Sequence, residues 1–254
     1  MFANRWVESF GLSRVLARSE FKLMNEGTWL GVFWYLLNPL LTFLLLLNIF
    51  QDRLGHGIPN YPLYLLLGIV MFHFFQKVSS ECVSLVRGRK GLINALGFPY
   101  EALVGGVALK FLFVHVFEML VLMGFLWWFG IPFALMLFYP LVFVLLFLFS
   151  VGAGLFLSAV GAYVFDLGNA WGFIVRLIWF GTPIFYDIGG QGTLQALNLF
   201  NPMYYLITVA REVIIYGRIP EAWLVLGAVG FALLSLLVGW FVFKRLEGRF
   251  AEIV

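Results

Sequence analysis

The sequence predicts an all-α polytopic membrane protein with six transmembrane helices, and three observations lead there. First, 63% of the 254 residues are hydrophobic and only 11% are charged, against about 45–50% and about 25% in soluble domains; the mean hydropathy of +0.98 agrees. Second, the apolar residues gather in long runs near 29–50, 61–82, 101–129, 133–164, 170–186 and 221–243, bounded by Pro, Gly and charge. Third, Lys and Arg divide unevenly between the connecting segments. One domain accounts for the whole: an interface segment over 1–28, the bundle over 29–243 and a tail over 244–254.

Orientation follows from that uneven division. Placing both termini, the 83–100 loop and the 165–169 turn on one side collects Arg5, Arg14, Arg18, Lys22, Arg87, Arg89, Lys90, Lys244, Arg245 and Arg249 there, opposite Arg53, Arg211 and Arg218. The positive-inside rule makes the first side cytoplasmic. A side chain at position 211 is then expected within reach of an impermeant reagent from outside. Cys82 is the only cysteine, so no intrachain disulfide forms. Charges from Arg5 to Glu26 precede the first apolar run, which is too long for a signal-peptide core, so no cleaved leader is expected.

Taken in order, "GLSRVLARSEFKL" places Arg14, Arg18 and Lys22 at i, i+4 and i+8, with Leu12, Val15, Leu16 and Leu23 able to face the other way. That pattern suits a helix lying on the inner membrane surface, and an ordinary basic juxtamembrane segment accounts for it as well. Span one carries Tyr35, Asn38 and Thr42 on one face, close to Trp34. Span two carries a polar stripe of His73, Lys77, Ser80, Glu81 and Ser84, in which Lys77 and Glu81 are spaced to pair. The stripe is either a face on a translocation path or, more simply, the lower half of a helix that leaves the membrane with its charges solvated.

After it, "VSLVRGRKGLINALGFPY" brackets a short helix from Leu92 to Leu96 between Gly91 and Gly97. Leu92, Ile93 and Leu96 stand beside Arg87, Arg89 and Lys90, and apolar residues in a cytoplasmic loop need something to cover them. The segment is a plain loop or a knob that docks into another protein. Span three holds Lys110, His115 and Glu118. His115 and Glu118 can satisfy each other at i, i+3, and Lys110 needs a partner from another helix.

Span four is long and is expected to bend at Pro140; span five is short and carries Arg176, Trp179, Phe180, Phe185 and Tyr186. Aromatic residues make up 19% of the chain. Interfacial anchoring and lipid packing explain most of them, the alternative being a wide path lined by rings on which sugar faces stack. Between spans five and six, a helix from about Met203 to Tyr216 reaches only about 21 Å, against a bilayer core of about 30 Å. It cannot cross, and Thr208, Arg211 and Glu212 interrupt its apolar surface.

The absences narrow the chemistry. No Lys follows a Gly, so the phosphate-binding loop of P-loop ATPases is missing. His56, His73 and His115 fall in different segments, without metal-ligand spacing. No nucleophile elbow appears. No catalytic residue and no metal ligand is assigned.

Four stretches, in their order and spacing, resemble the permease subunit of type-2 ABC exporters, and within it the Wzm-type permease of O-antigen exporters. "WLGVFWYLLNPLL" is similar to the family's opening of span one through Leu30, Gly31, Trp34 and Pro39. "YPLYLLLGIVMFHFF" and "GLINALGFP" are similar to its second span and following loop. "TPIFYD" and "FNPMYYLITVAREVIIYG" are similar to its P-I-x-Y and N-P…R segment through Pro183, Tyr186, Asn201, Pro202 and Arg211, and "FKRLEGRFAEIV" to its closing tail. One departure stands at the end of span four, where Phe165 precedes Asp166 and many relatives have Arg-Asp. An ATPase contact made by that Arg would lack its equivalent.

The resemblance implies a homodimer of six-span subunits joined to two copies of a cytoplasmic ABC ATPase that binds ATP and Mg. This chain would hold no cofactor and make or break no bond. The resemblance further implies an interface helix at the N-terminus and a coupling helix around Leu92–Leu96 seated on the ATPase, flanked by Arg87, Arg89 and Lys90. It also implies short re-entrant extracytoplasmic helices between spans five and six, a gate carrying Asn201, Pro202, Tyr205, Thr208, Arg211 and Glu212. Asn201 can cap the helix that Pro202 begins.

The expected function is therefore export of lipid-linked polysaccharide, O-antigen on polyprenyl diphosphate, across the bacterial inner membrane, with both termini cytoplasmic. Trp34, Tyr35, Asn38, Thr42, Trp179, Phe180, Phe185 and Tyr186 are the candidate channel faces. Arg14, Arg18 and Lys22 would attract the diphosphate. The partners are a second copy, the ATPase, the glycan and membrane lipid, with no nucleic acid. The alternatives are export of teichoic acid, capsule or a small lipophile; proton-coupled transport through Lys110, His115 and Glu118; and a membrane enzyme dependent on Asp166 or Glu118.

Overall fold

The computed structural model describes residues 2–25, 33–91 and 99–250. Leu30, Gly31, Leu92, Ile93 and Leu96 lie outside the described residues, as does the side chain of Tyr35. Every regular element among them is helical: α1 (Phe2–Asn25), α2 (Phe33–Leu54), α3 (Tyr61–Val83), α4 (Leu85–Gly88), α5 (Glu101–Trp128), α6 (Tyr139–Tyr163), α7 (Leu167–Gly181), α8 (Gly192–Asn198), α9 (Pro202–Ile214) and α10 (Ala222–Leu246), with short 3-10 turns between them. Among the described residues, four helices are long and apolar enough to cross a membrane: α3, α5, α6 with its lead-in from Phe133, and α10 extended to Arg249. The 22-residue α2 covers the described part of the first apolar run and continues to Leu54.

Two departures from the predicted runs have local causes. The fourth run does not bend at Pro140. It breaks into a 3-10 stretch over Phe133–Phe138, and Pro140 lies in the first turn of α6. Proline is tolerated there because the first N–H groups of a helix have no intrahelical acceptor. The fifth run yields only 15 helical residues in α7, about 22 Å of rise. Thr182 leaves the helix in an extended conformation, as the residue before a proline tends to, and Pro183 has no N–H with which to continue the ladder.

The bundle is organised around α3, which packs against α2, α5, α6, α7 and α9. Leu63 to Phe72 are all buried along it. Helices α6 and α10 touch backbone to backbone where Gly152 faces Ser235, Leu236 and Gly239, and a Cβ on either glycine would strike the other helix. Small residues at a crossing are how helices approach closely in lipid, where no hydrophobic drive separates side chain from solvent.

Helix α1 lies along α5. Its contact face is small and polar: Ser13 donates to the carbonyls of Ser9 at 2.8 Å and Ala102 at 3.1 Å. Gly105 and Gly106 leave room for Ser13 and Leu16. Arg14, Arg18, Val15 and Leu23 remain exposed. The apolar residues expected to face away from the basic stripe are thus divided between bundle and surface.

Candidate functional site

The non-helical stretch after α7 is held by side chains from elsewhere. Backbone at membrane depth without helical bonds needs donors from the protein or from a wet cavity. Tyr61 donates to the Phe185 carbonyl at 2.8 Å, and Tyr64 to the carbonyls of Pro183 at 3.1 Å and Tyr186 at 2.9 Å. Arg211 donates to Pro183 at 2.7 Å, to Ile184 at 3.0 Å and to the Tyr64 carbonyl at 3.0 and 3.3 Å. Its guanidinium lies 3.2 Å from the centre of the Tyr64 ring. Four consecutive carbonyls, from Pro183 to Tyr186, therefore each receive a side-chain donor.

This arrangement corrects the expectation for position 211. Arg211 is 2% exposed and faces inward, joining α9 to α3 and to the end of α7. Gly68 makes the approach feasible, since a Cβ there would lie 2.7 Å from Arg211 Nη2. The helix that presents Arg211 starts as expected: Asn201 Oδ1 accepts from the Met203 N–H at 3.1 Å and Pro202 occupies the first turn. Asn201 also donates to Thr182 Oγ1 at 2.8 Å. Gly217, at φ 60°, turns the chain away after α9.

Two cavities flank the clamp. One of about 220 Å³ is lined by Tyr64, Asp187, Tyr204, Thr208, Arg211 and Glu212, among others. Burial raises the phenol pKa values of Tyr204 and Tyr216, so both keep their O–H. The other, of about 510 Å³, is lined by Arg53, Leu54, Phe180, Phe185, Tyr186 and Asp187, among others. The structure thus brings Thr208, Arg211 and Glu212 of the expected gate together. Tyr205 instead packs on Trp223 and Phe231 and donates to the Leu199 carbonyl at 2.9 Å.

Of the expected channel faces, Phe180, Phe185 and Tyr186 converge, and Phe185 stacks on Phe50 of α2 at 5.2 Å. Trp179 turns toward α3, edge-on to Phe72 at 4.9 Å and stacked on His73 at 5.7 Å. Trp34 and Asn38 are exposed on α2, and Thr42 is half-buried. Sequence reasoning missed Tyr61, Tyr64 and Asp187. Two tyrosines one turn apart at the start of a span, opposite a proline-broken partner, were the available signal.

Buried charges join the helices toward the other end. Lys77 of α3 donates to Glu118 of α5 at 2.7 Å. Glu118 lies 3.2 Å from His115 Nδ1, and His115 Nε2 lies 2.6 Å from the Tyr139 hydroxyl of α6. Lys110 reaches Glu20 of α1 at 3.1 Å and also Glu81 of α3, and Arg89 reaches Glu20. The pairing of His115 with Glu118 and the need of Lys110 for another helix were foreseen. The picture of solvated charges on α3 was not met: Lys77 and Glu81 find carboxylate and ammonium partners across the bundle. Glu20, read only as a charge ahead of span one, fixes α1 to α5. Among the described residues no group of His, Cys, Asp and Glu is arranged to hold a metal.

Comparison with known proteins supplies the family. The family model described as ABC-2 type transporter matches residues 12–215. The O-antigen export system permease protein RfbA of Myxococcus xanthus is 24% identical over 249 residues, 95% of each chain. The polysialic acid transport protein KpsM of Escherichia coli is 25% identical over 224 residues, 86% of each chain. RfbA of Klebsiella pneumoniae is 25% identical over 260 residues, 96% of this chain and 95% of its own. With most of its length matched and its helices apolar enough for a bilayer, the chain belongs to the ABC-2 type transporter family.

Proposed function

We propose that this chain is the membrane-spanning permease subunit of an ATP-driven exporter of lipid-linked polysaccharide in the bacterial inner membrane. The observation that carries the reading is α9, a capped helix of 13 residues that reaches about 20 Å and is pinned by Arg211 to the ends of α3 and α7. Such a piece dips into one leaflet without crossing, as an extracytoplasmic gate would. The relatives named for O-antigen export and polysialic acid transport supply the cargo class.

The six-span reading counts α2 and α7 as spans beside the four longer helices. It puts both termini in the cytoplasm. Two copies form the channel, and the apolar faces exposed on α2 (Leu37, Leu41, Leu44) and α7 (Phe173, Leu177, Phe180) suit a partner copy or lipid. Arg14 and Arg18 stand exposed where a diphosphate head group would arrive. The loop holding Leu92, Ile93 and Leu96 seats on a separate ATPase, which binds ATP and Mg and supplies the chemistry.

The test is reconstitution of the chain with and without an ABC ATPase partner in vesicles loaded with a lipid-linked glycan. Movement of glycan that requires ATP and the hydrolase supports the reading. Movement in the absence of any hydrolase overturns it.

A further inference from the structure

Most charge inside the apolar runs is paired within the bundle. Lys77, Glu81, Lys110 and Glu118 all find partners on other helices. Arg176 does not. Among the described residues it makes no hydrogen bond, ion pair or ring contact, and α7 presents it on an exposed side. It stands about 13 Å of helical rise beyond Leu167, near half the depth of a bilayer core of about 30 Å.

Helix α7 is two-sided. Trp171, Val175 and Trp179 recur at i, i+4 and i+8 and form its inner face: Trp171 donates to Ser79 Oγ of α3 at 3.2 Å, Val175 is buried, and Trp179 meets Phe72 of α3. Asn169, Arg176 and Phe180, at i, i+7 and i+11, share a different side, and all three are exposed. Phe180 also lines the outer cavity of about 510 Å³ beside Arg53 and Asp187. The Arg176 edge of α7 therefore leads toward that cavity.

Three neighbours are available to a guanidinium at this depth: lipid, a second copy of the chain, and whatever passes between copies. Lipid tails offer no acceptor, and ionisable groups within spans face the bundle or a water-filled path for that reason. A second copy brings no unpaired carboxylate. Of the acids within the apolar runs, Glu81 and Glu118 already hold Lys110 and Lys77, and the others lie at or beyond the run ends. The passing molecule remains. A planar fork of N–H donors meets two oxygens of a phosphate or carboxylate at once, and such charge-assisted bonds are the stronger ones.

We propose that Arg176 is an anion-binding residue on the translocation path, where it takes a phosphate or carboxylate group of the moving cargo halfway across the membrane. The proposal rests on the export reading and adds a charged station that the aromatic faces expected for the path do not supply.

The test uses the permease assembled with its ATPase in nanodiscs. In a chain carrying Cys82→Ser, Arg176→Cys should react during ATP turnover with a sulfonated methanethiosulfonate that does not enter lipid. Reaction only with a membrane-soluble maleimide, or no reaction, overturns the proposal. Saturation-transfer NMR on the wild-type assembly then compares glucose 1-phosphate, an α2,8-linked sialic acid trimer and neutral maltotriose. At least one of the two anions should bind. Because Arg176 has no protein partner to lose, Arg176→Gln should keep the wild-type melting temperature while weakening that anion roughly ten-fold, and Arg176→Lys should lose less. A loss confined to the sugar phosphate supports a diphosphate linkage as the bound group, and one confined to the trimer supports an acidic repeat. Binding of neither anion, unchanged affinity in Arg176→Gln, or an equal loss of maltotriose overturns the proposal. Wild-type protein that moves glycan with ATP yet shows no Arg176-dependent binding sinks the anion site alone; such binding without ATP-driven movement sinks the export reading alone.

Discussion

Arg211 stacks on the ring of Tyr64 and donates to that same residue's backbone carbonyl, so one side chain holds both the side chain and the main chain of one residue. The remaining donors go to Pro183 and Ile184. Lysine has no planar fork and cannot serve three carbonyls and a ring face at once. Arg211→Lys should therefore behave almost like Arg211→Ala, each losing roughly 3 kcal/mol or more from buried charged hydrogen bonds. Thermal unfolding in detergent checks this, and a lysine variant with wild-type stability would refute the clamp. Gly68→Ala should produce a smaller loss by displacing the same guanidinium.

The Lys77–Glu118 pair links α3 to α5 with Glu118 almost wholly buried. Removing one member takes from the other its shortest ion pair. Glu118→Ala is expected to cost about 3–5 kcal/mol, and Lys77→Met combined with Glu118→Leu should recover most of it. A double-mutant cycle on unfolding provides the measurement; additive losses would deny the pairing.

At the crossing of α6 with α10, Gly152→Val and Gly239→Val should each prevent the backbones from meeting. Overpacking of this kind costs about 1–3 kcal/mol where a core can adjust, and more here because the obstacle is main chain. Loss of monodisperse protein on size-exclusion chromatography is the readout. Gly230, with open space around its Cβ position, should tolerate alanine.

Thiol labelling tests the orientation. Arg218 is exposed just beyond α9 and Arg211 is buried. In a chain with Cys82 replaced by serine, Arg218→Cys should react with an impermeant maleimide added outside, and Arg211→Cys only after denaturation. Labelling of position 218 solely from the cytoplasm would invert the topology.

Contact with the ATPase is tested by Leu92→Asp, Ile93→Asp and Leu96→Asp combined, which should release a copurifying hydrolase. Reversal of charge at Arg14, Arg18 and Lys22 should instead leave the complex assembled and slow export of diphosphate-linked glycan. Retention of the hydrolase in the first case, or unaltered export in the second, would remove the corresponding site.

The helical runs were legible because periodicity and apolar length are local. So were the Asn201 cap and the His115–Glu118 contact, which depend on residues a few positions apart. The fate of Arg211 was not. A cation in a segment between two spans reads as solvated, and what buries it is a set of carbonyls freed about 28 residues earlier, where Pro183 stops α7. Crossed pairing of Lys77 with Glu118 likewise depends on the register between α3 and α5, which neither helix encodes alone. Pro140 misled for the opposite reason: the same residue type bends a helix from inside and starts one from its first turn.

The Arg211 clamp also imposes an order of events during synthesis. The carbonyls of Pro183 and Ile184 emerge well before the arginine that serves them, and chains assemble from the N-terminus as they are made. Until α9 has been translated, the Ile184 carbonyl lacks its side-chain donor and the Pro183 carbonyl has only that of Tyr64. Helix α9 therefore acts as a late-arriving fastener for the chain that leaves α7.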